Sequence, residues 1–278
     1  MTLYLFSFCV FIESWKKTEL SRALKLMTDS LDVFVKDYKL IVFTNYDTGI
    51  VNKNIEYKEY YNNNKPIYNS GFLNLSFNKI YLYKDLYDLY KIDYIWIDLD
   101  TIVTYDISYV NNIPECFIEI GGICENNNIL FTNNNTIFVP KNRYIQGNFW
   151  KLNITLYNEL MECFKELTER GLILRLDLQD LFSYYIYIKH EGNSKDICIL
   201  GNNYLQNTLN GLAMWDKRGI THATETGLRN FSFENKILKS KLYPEKEIHL
   251  ISFTFGTLTS LWNKSIFSDF IKLLLIRR

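Results

Sequence analysis

Two carboxylates separated by one leucine, Asp98-Leu99-Asp100, end the apolar run Tyr94-Ile95-Trp96-Ile97. A short run without amphipathic alternation reads as a strand buried on both faces. Side chains two apart on a strand point the same way, so both carboxylates are expected to leave the strand end together. Two anionic groups side by side repel each other unless a cation lies between them. A hard divalent ion suits that place, because it takes oxygen ligands and usually shares them with a phosphate. Open α/β sheets bind ligands beyond the carboxyl ends of their strands, which is where these acids fall. The plainer reading is that the two aspartates cap a strand end and face solvent.

Other polar groups sit at the junctions of elements. Arg143 to Trp150 contains Gly147 between the amides Gln146 and Asn148. A glycine so flanked at the mouth of a helix suits close approach to a polyhydroxyl ligand, or makes a plain turn. Leu176 to Leu181 opens a helix with Asp177 as N-cap and Asp180 in the first turn, where the helix dipole favours acids. Ser7 and Thr44, Asn45 and Tyr46, at strand ends, could touch a base or ribose, or be ordinary loop residues. Trp215 to Phe231 is polar, with two glycines and no periodicity, and long irregular loops in compact domains often serve as lids. Its Arg218, His222 and Arg229 could contact a leaving diphosphate or sit in solvent.

These groups are positioned by an alternation of strands and helices. Leu3 to Phe11 reads as a strand, and Leu20, Leu24, Met27 and Leu31 mark a helix by their spacing. Strands at Lys39 to Thr44 and Ile55 to Tyr60 follow. This opening predicts one half of a mostly parallel sheet. After a polar loop, a helix from Ser76 carries stripes of Leu82, Leu86, Leu89 and of Tyr83, Tyr87, Tyr90, all expected in the core. Strands are expected within Pro114 to Gly122, Asn128 to Val139, Asp196 to Leu200 and Ile248 to Phe253. A helix with Leu152, Leu156, Leu160, Phe164 and Leu167 on one face ends at Gly171. Ser265 to Arg278 predicts a last helix that packs on the domain, peripheral contact with a membrane being the alternative.

Length and charge narrow the class. A chain of 278 residues can bury a full core as one domain. Lys plus Arg and Asp plus Glu balance at 31 each, so no overall field draws nucleic acid. The five cysteines (Cys9, Cys116, Cys124, Cys163, Cys198) lack metal-site spacing and are odd in number, which disfavours a disulfide scaffold and points to a reducing cytoplasm. Leu3 to Ile12 lacks a basic leader and a cleavage site and is too short to span a bilayer, so neither a signal peptide nor a transmembrane segment is expected there.

In its order of elements, and in Asp98-Leu99-Asp100 followed by Asp106-Ile107, the chain resembles the GT-A-fold glycosyltransferases that use a DxD motif, family 8 in particular. The resemblance implies an α/β, Rossmann-like fold with a mixed, mostly parallel central sheet flanked by helices. It implies one domain over 1–278, with a nucleotide-sugar-binding half at 1–110, an acceptor-binding half at 111–262 and a C-terminal helix at 263–278. Mn2+ or Mg2+ would be held against the diphosphate of a sugar nucleotide by Asp100 directly and by Asp98, which alternatively binds the donor's ribose and sugar. The donor would be a nucleoside diphosphate sugar, with UDP favoured, and the acceptor a hydroxyl of a glycan or other molecule. Gln179 and Asp180 match the family's Asp-Gln-Asp segment, with Leu178 in place of its first Asp. They would face the transferred sugar, Gln179 steadying it in a retaining reaction (the favoured outcome) or Asp180 acting as base in an inverting one. His249, Gly256 and Trp262 match a late His-x-x-Gly-x-x-Lys-Pro-Trp segment with altered spacing and no Lys-Pro. That match implies His249 as a third metal ligand, a buried hydrogen-bonded histidine being the alternative. Two other classes compete. Haloacid-dehalogenase-type phosphatases also use Asp-x-Asp, but continue it with Gly-Thr and place it near the chain start, whereas here Thr101 follows directly. A catalytically silent nucleotide-sugar-binding protein would carry the same site without the transfer.

Overall fold

A computed structural model describes residues 1–13, 15–61, 71–113, 115–119, 128–130, 136–138, 145–172, 174, 178–191, 197–199, 231–234, 237–240, 249–252, 258–259 and 262–276. In chain order the strands and α-helices are β1 (Leu3–Cys9), α1 (Lys17–Phe34), β2 (Tyr38–Thr44), β3 (Ile55–Glu59), α2 (Gly71–Tyr90), β4 (Ile95–Ile97) and β5 (Thr101–Val103). After a 3-10 turn come β6 (Glu115–Glu119), β7 (Asn128–Leu130), β8 (Thr136–Phe138), β9 (Ile145–Lys151), α3 (Ile154–Glu169) and α4 (Leu178–Ser183). A π-helical segment, Tyr184–Lys189, continues α4. The chain closes with β10 (Ile197–Ile199), β11 (Phe231–Glu234), β12 (Ile237–Ser240), β13 (Leu250–Ser252) and α5 (Ser265–Leu275).

The fold is α/β, and the chain divides into two compact units. The first comprises Met1–Tyr60, Ile97–Asn112 and Leu200–Arg278. Its strands β1, β2 and β3 run parallel, Leu3 opposite Tyr38 and Leu40 opposite Ile55. Helix α1 makes the crossover between β1 and β2, as parallel neighbours require. It buries the stripe Leu20, Leu24, Met27 and Leu31 that its spacing predicts. The short strands β5 and β13 pair antiparallel, as do β11 and β12. Ile102, Leu238, Ile251 and Trp262 share one buried cluster with Phe267, Phe270 and Leu274 of α5. The last helix therefore packs on its own unit, as expected.

The second unit comprises Tyr61–Trp96 and Ile113–Ile199. Here β6 pairs parallel with β10 and antiparallel with β9. Helices α2 and α3 meet through Phe77 and Phe164, whose rings lie 4.4 Å apart. Trp150 of β9 stacks on Trp96 at 6.1 Å, and both indoles are almost wholly buried. Tyr83 meets Trp150 edge-on at 6.2 Å, its hydroxyl 3.0 Å from both Asp93 and the Leu152 carbonyl. The Leu82 and Leu86 stripe is core, but Leu89 in the last turn of α2 is 65% exposed. Helix α3 begins at Asn153, whose side chain accepts from Leu156 N, and ends at Gly171 with φ of 71°. There the Gly171 and Leu172 amides donate to the Thr168 and Leu167 carbonyls, a Schellman closure that needs the left-handed conformation. β9 is a strand where the sequence predicts only an approach to a helix. Its partner β6 supplies the pairing that Gln146-Gly147-Asn148 does not advertise.

Candidate functional site

Strand β4 ends at Ile97, and the acids follow it in a tight turn rather than extending the strand. The Thr101 amide donates to the Asp98 carbonyl at 3.1 Å, closing Asp98-Leu99-Asp100-Thr101. This corrects the expectation that strand alternation aims both carboxylates. Leu99, in the middle of the turn, packs against the core cluster of its unit. Asp98 and Asp100 on either side of it are half-buried. Thr101, directly after, is 1% exposed, and its hydroxyl has no hydrogen-bond partner among the described residues. Buried polar groups normally have partners, so such an orphan beside two acids is a group in want of one.

His249 is not brought to this turn. It precedes β13, which runs antiparallel to β5 with Ser252 opposite Thr101 and Leu250 opposite Val103. The His249 carbonyl accepts from Thr104 N, at the far end of that ladder from the acids. At about 3.3 Å per residue, the strand separates the two ends by roughly 10 Å. His249 is 5% exposed, its ring stacks on Tyr105 at 4.3 Å, and its Nδ1 lies 3.0 Å from the Tyr109 hydroxyl. Among the described residues no three His, Cys, Asp or Glu side chains gather as a metal shell. The place of His249 in this ladder and its contact with Tyr109 favour the alternative reading, a buried, hydrogen-bonded histidine. His249→Phe is expected to leave Mn2+ affinity within about twofold while costing about 1 kcal/mol of stability for the lost hydrogen bond. Metal titration beside thermal unfolding checks both.

The nucleotide-side residues are also placed differently from expectation. Ser7 lies inside β1 and is wholly buried, because the strand runs on to Cys9, so it is not a strand-end contact. Thr44 Oγ1 donates to the Tyr46 carbonyl at 2.9 Å and accepts from its amide at 3.3 Å. The Asn45 side chain clamps the backbone of Phe11, accepting from its N–H at 2.8 Å and donating to its carbonyl at 2.9 Å. Thr44 and Asn45 thus build the loop. Tyr46, expected near a base or ribose, is joined there by two residues that the sequence reading missed, Phe11 and Lys17: Lys17 Nζ lies over the rings of Phe11 and Tyr46, at 5.0 and 5.6 Å. Two aromatic rings and a cation beyond the carboxyl ends of β1 and β2 suit stacking of a base near an anion. The only signal for them was aromatic residues beside strand ends. Cys9 nearby is no nucleophile: burial pushes its thiol up to about 11, against a smaller opposing effect of its contact with Tyr46.

The remaining candidates lie in the second unit. Gln179 is half-buried and Asp180 wholly buried on α4. Gly147 on β9 faces Gln179 so closely that an added Cβ would stand 3.1 Å from Gln179 Cγ. The Ser183 hydroxyl accepts from Ile145 N at 2.9 Å, fastening α4 to the same strand. Trp150 pairs with Phe117 and Gln146 with Ile118, so Gly147, Asn148 and Phe149 form a bulge with no residue of β6 opposite. Bulges re-aim side chains and are frequent beside active sites. Asn148 is 4% exposed, and neither its oxygen nor its nitrogen has a hydrogen-bond partner among the described residues. Asp177 and the candidate lid residues Arg218, His222 and Arg229 lie outside the described residues.

Compared with known proteins, the chain matches no family model and no curated protein. Its function is therefore argued from the residues themselves. Among the described residues no helix is long and apolar enough to cross a membrane.

Proposed function

We propose that the chain is a metal-dependent glycosyltransferase of the GT-A type, moving a sugar from a nucleoside diphosphate donor to a hydroxyl acceptor. The observation that supports it most is the acid pair held in a turn straight after a wholly buried strand, with Leu99 anchoring the turn in the core. Two neighbouring carboxylates suit a hard cation that completes its coordination with substrate phosphates. Asp98 and Asp100 would hold Mn2+ or Mg2+, which when bound supplies neutralisation of charge on the departing diphosphate. UDP remains the favoured nucleotide, with Phe11 and Tyr46 offered to its base and Lys17 to its phosphates. Gln179 and Asp180 are offered to the transferred sugar. Asp180, wholly buried in the free chain, would have to be uncovered to accept the acceptor's proton if configuration inverts; the half-buried Gln179 steadies the sugar if it is retained, the outcome the family resemblance favours.

A thermal-shift panel tests the reading. Binding to the native state raises stability by about 2.7 kcal/mol when ligand stands a hundredfold above Kd. UDP with Mn2+ is expected to raise Tm by about 5 °C or more, well beyond either alone. UDP release from a UDP-sugar should accompany it. Phosphate release from a phosphomonoester without these effects would favour the phosphatase, and donor binding with neither transfer nor hydrolysis would favour a silent binding protein.

A further inference from the structure

The end of the chain carries charge that the whole does not. Lysines and arginines balance aspartates and glutamates at 31 each overall, yet residues 262–278 hold Lys264, Lys272, Arg277 and Arg278 against Asp269 alone. Helix α5 buries Phe267, Phe270 and Leu274 but leaves Leu273 57% exposed, and Ile276 just beyond it is 75% exposed. Bulky apolar side chains held in water on a segment whose sequence is net cationic suit a membrane interface.

Between α5 and α1, within the first unit, runs a groove of about 270 Å³. Leu26, Trp262, Phe267, Ile271 and Leu275 give it an apolar lining, and Arg22, Lys25, Lys272 and Asp29 also line it. Asp29 is taken up by Lys25, at 2.7 and 2.8 Å, and Lys272 stands 3.9 Å from the exposed Asp269 of its own helix, so the charge left over is positive and centred on Arg22. The Arg22 guanidinium lies 4.6 Å from the Trp262 ring centre and donates one hydrogen bond to the Trp262 carbonyl at 3.3 Å. A guanidinium has five N–H donors, so most of its capacity remains for an anion. Trp262 is 8% exposed, and its indole N–H is a buried donor with no acceptor among the described residues.

We infer that this groove and the exposed Leu273 and Ile276 form a docking site for an anionic phospholipid surface. Arg22 and Lys272 take the headgroup phosphate, and the apolar lining, Trp262 included, receives the start of an acyl chain. An acidic peptide would satisfy the cations but leave Leu273 and Ile276 in water; a charged bilayer surface accounts for both. The inference does not depend on the glycosyltransferase reading.

Vesicle flotation of the full chain tests it, with phosphatidylcholine alone set against an equimolar mixture with phosphatidylglycerol. Binding to the mixed vesicles is expected to be about tenfold tighter or more and to fade as salt screens the charges. The double substitution Leu273→Ser and Ile276→Ser, at exposed positions that leave the core intact, is expected to weaken it about tenfold. Arg22→Gln should reduce the preference for the anionic lipid. Equal binding to both vesicles overturns the inference, as does unchanged binding by the double variant. Capture of polyglutamate with no vesicle binding, or a dimer of the chain that the double variant breaks, overturns it in favour of those partners.

Discussion

Asp100→Asn is expected to slow metal-dependent sugar transfer by about a hundred- to a thousandfold while leaving thermal stability nearly unchanged. The substitution keeps the shape of the side chain and removes its negative charge. The turn should survive, because its closing hydrogen bond runs between the Thr101 amide and the Asp98 carbonyl, both backbone groups. Leu99 still fixes the turn against the core. Substitutions at half-exposed positions away from caps and cores usually stay within about 0.5 kcal/mol. Asp98→Asn should behave in the same way, and both variants should need more Mn2+ to regain the UDP-dependent rise in Tm. The measurements are UDP release from a UDP-sugar across a Mn2+ titration, with unfolding followed alongside. Full turnover in either variant at limiting Mn2+ would remove the acid pair from the chemistry.

How far the sequence anticipated this arrangement depended on whether the deciding interactions were local. The parallel opening was legible because Leu20, Leu24, Met27 and Leu31 recur at helical spacing between two apolar runs, and all four are buried where that spacing puts them. The end of α3 was legible from Gly171, since a left-handed closure calls for glycine. The acids stand out in the sequence, but their setting reads there as one strand, because two very short strands joined by a turn look like one run with polar residues in it. Thr44 and Asn45 were read as strand-end residues near a ligand; Asn45 is instead occupied by Phe11, 34 residues away in the chain, a contact no local pattern announces. His249 was placed by a family pattern with altered spacing, and the register of β13 on β5 sets it at the wrong end of the ladder. β9 escaped because its polar, glycine-containing middle is a bulge, tolerated only through pairing with a partner nearly 30 residues upstream.

That bulge also holds the residue with the sharpest second test, Asn148. A buried amide with no partner costs about 1–3 kcal/mol, so a protein that keeps one is expected to have a use for it. Asn148→Ala removes the unsatisfied group and leaves a small cavity. The two effects oppose, so stability should hold within about 1 kcal/mol or rise. Gly147 beside it lies against Gln179, which links the bulge to the helix that carries Asp180. If the amide meets a hydroxyl of the donor sugar or the acceptor, kcat/KM should fall about a hundredfold, because a site built around such a hydrogen bond loses heavily without it. A stable but slow variant is the signature of a binding group. A purely structural amide would give the reverse, with Tm moved and kcat/KM intact, and the role assigned to the bulge would be lost. Asn148→Asp separates the two further, since a carboxylate can still accept from a sugar hydroxyl and should restore part of the rate that alanine loses.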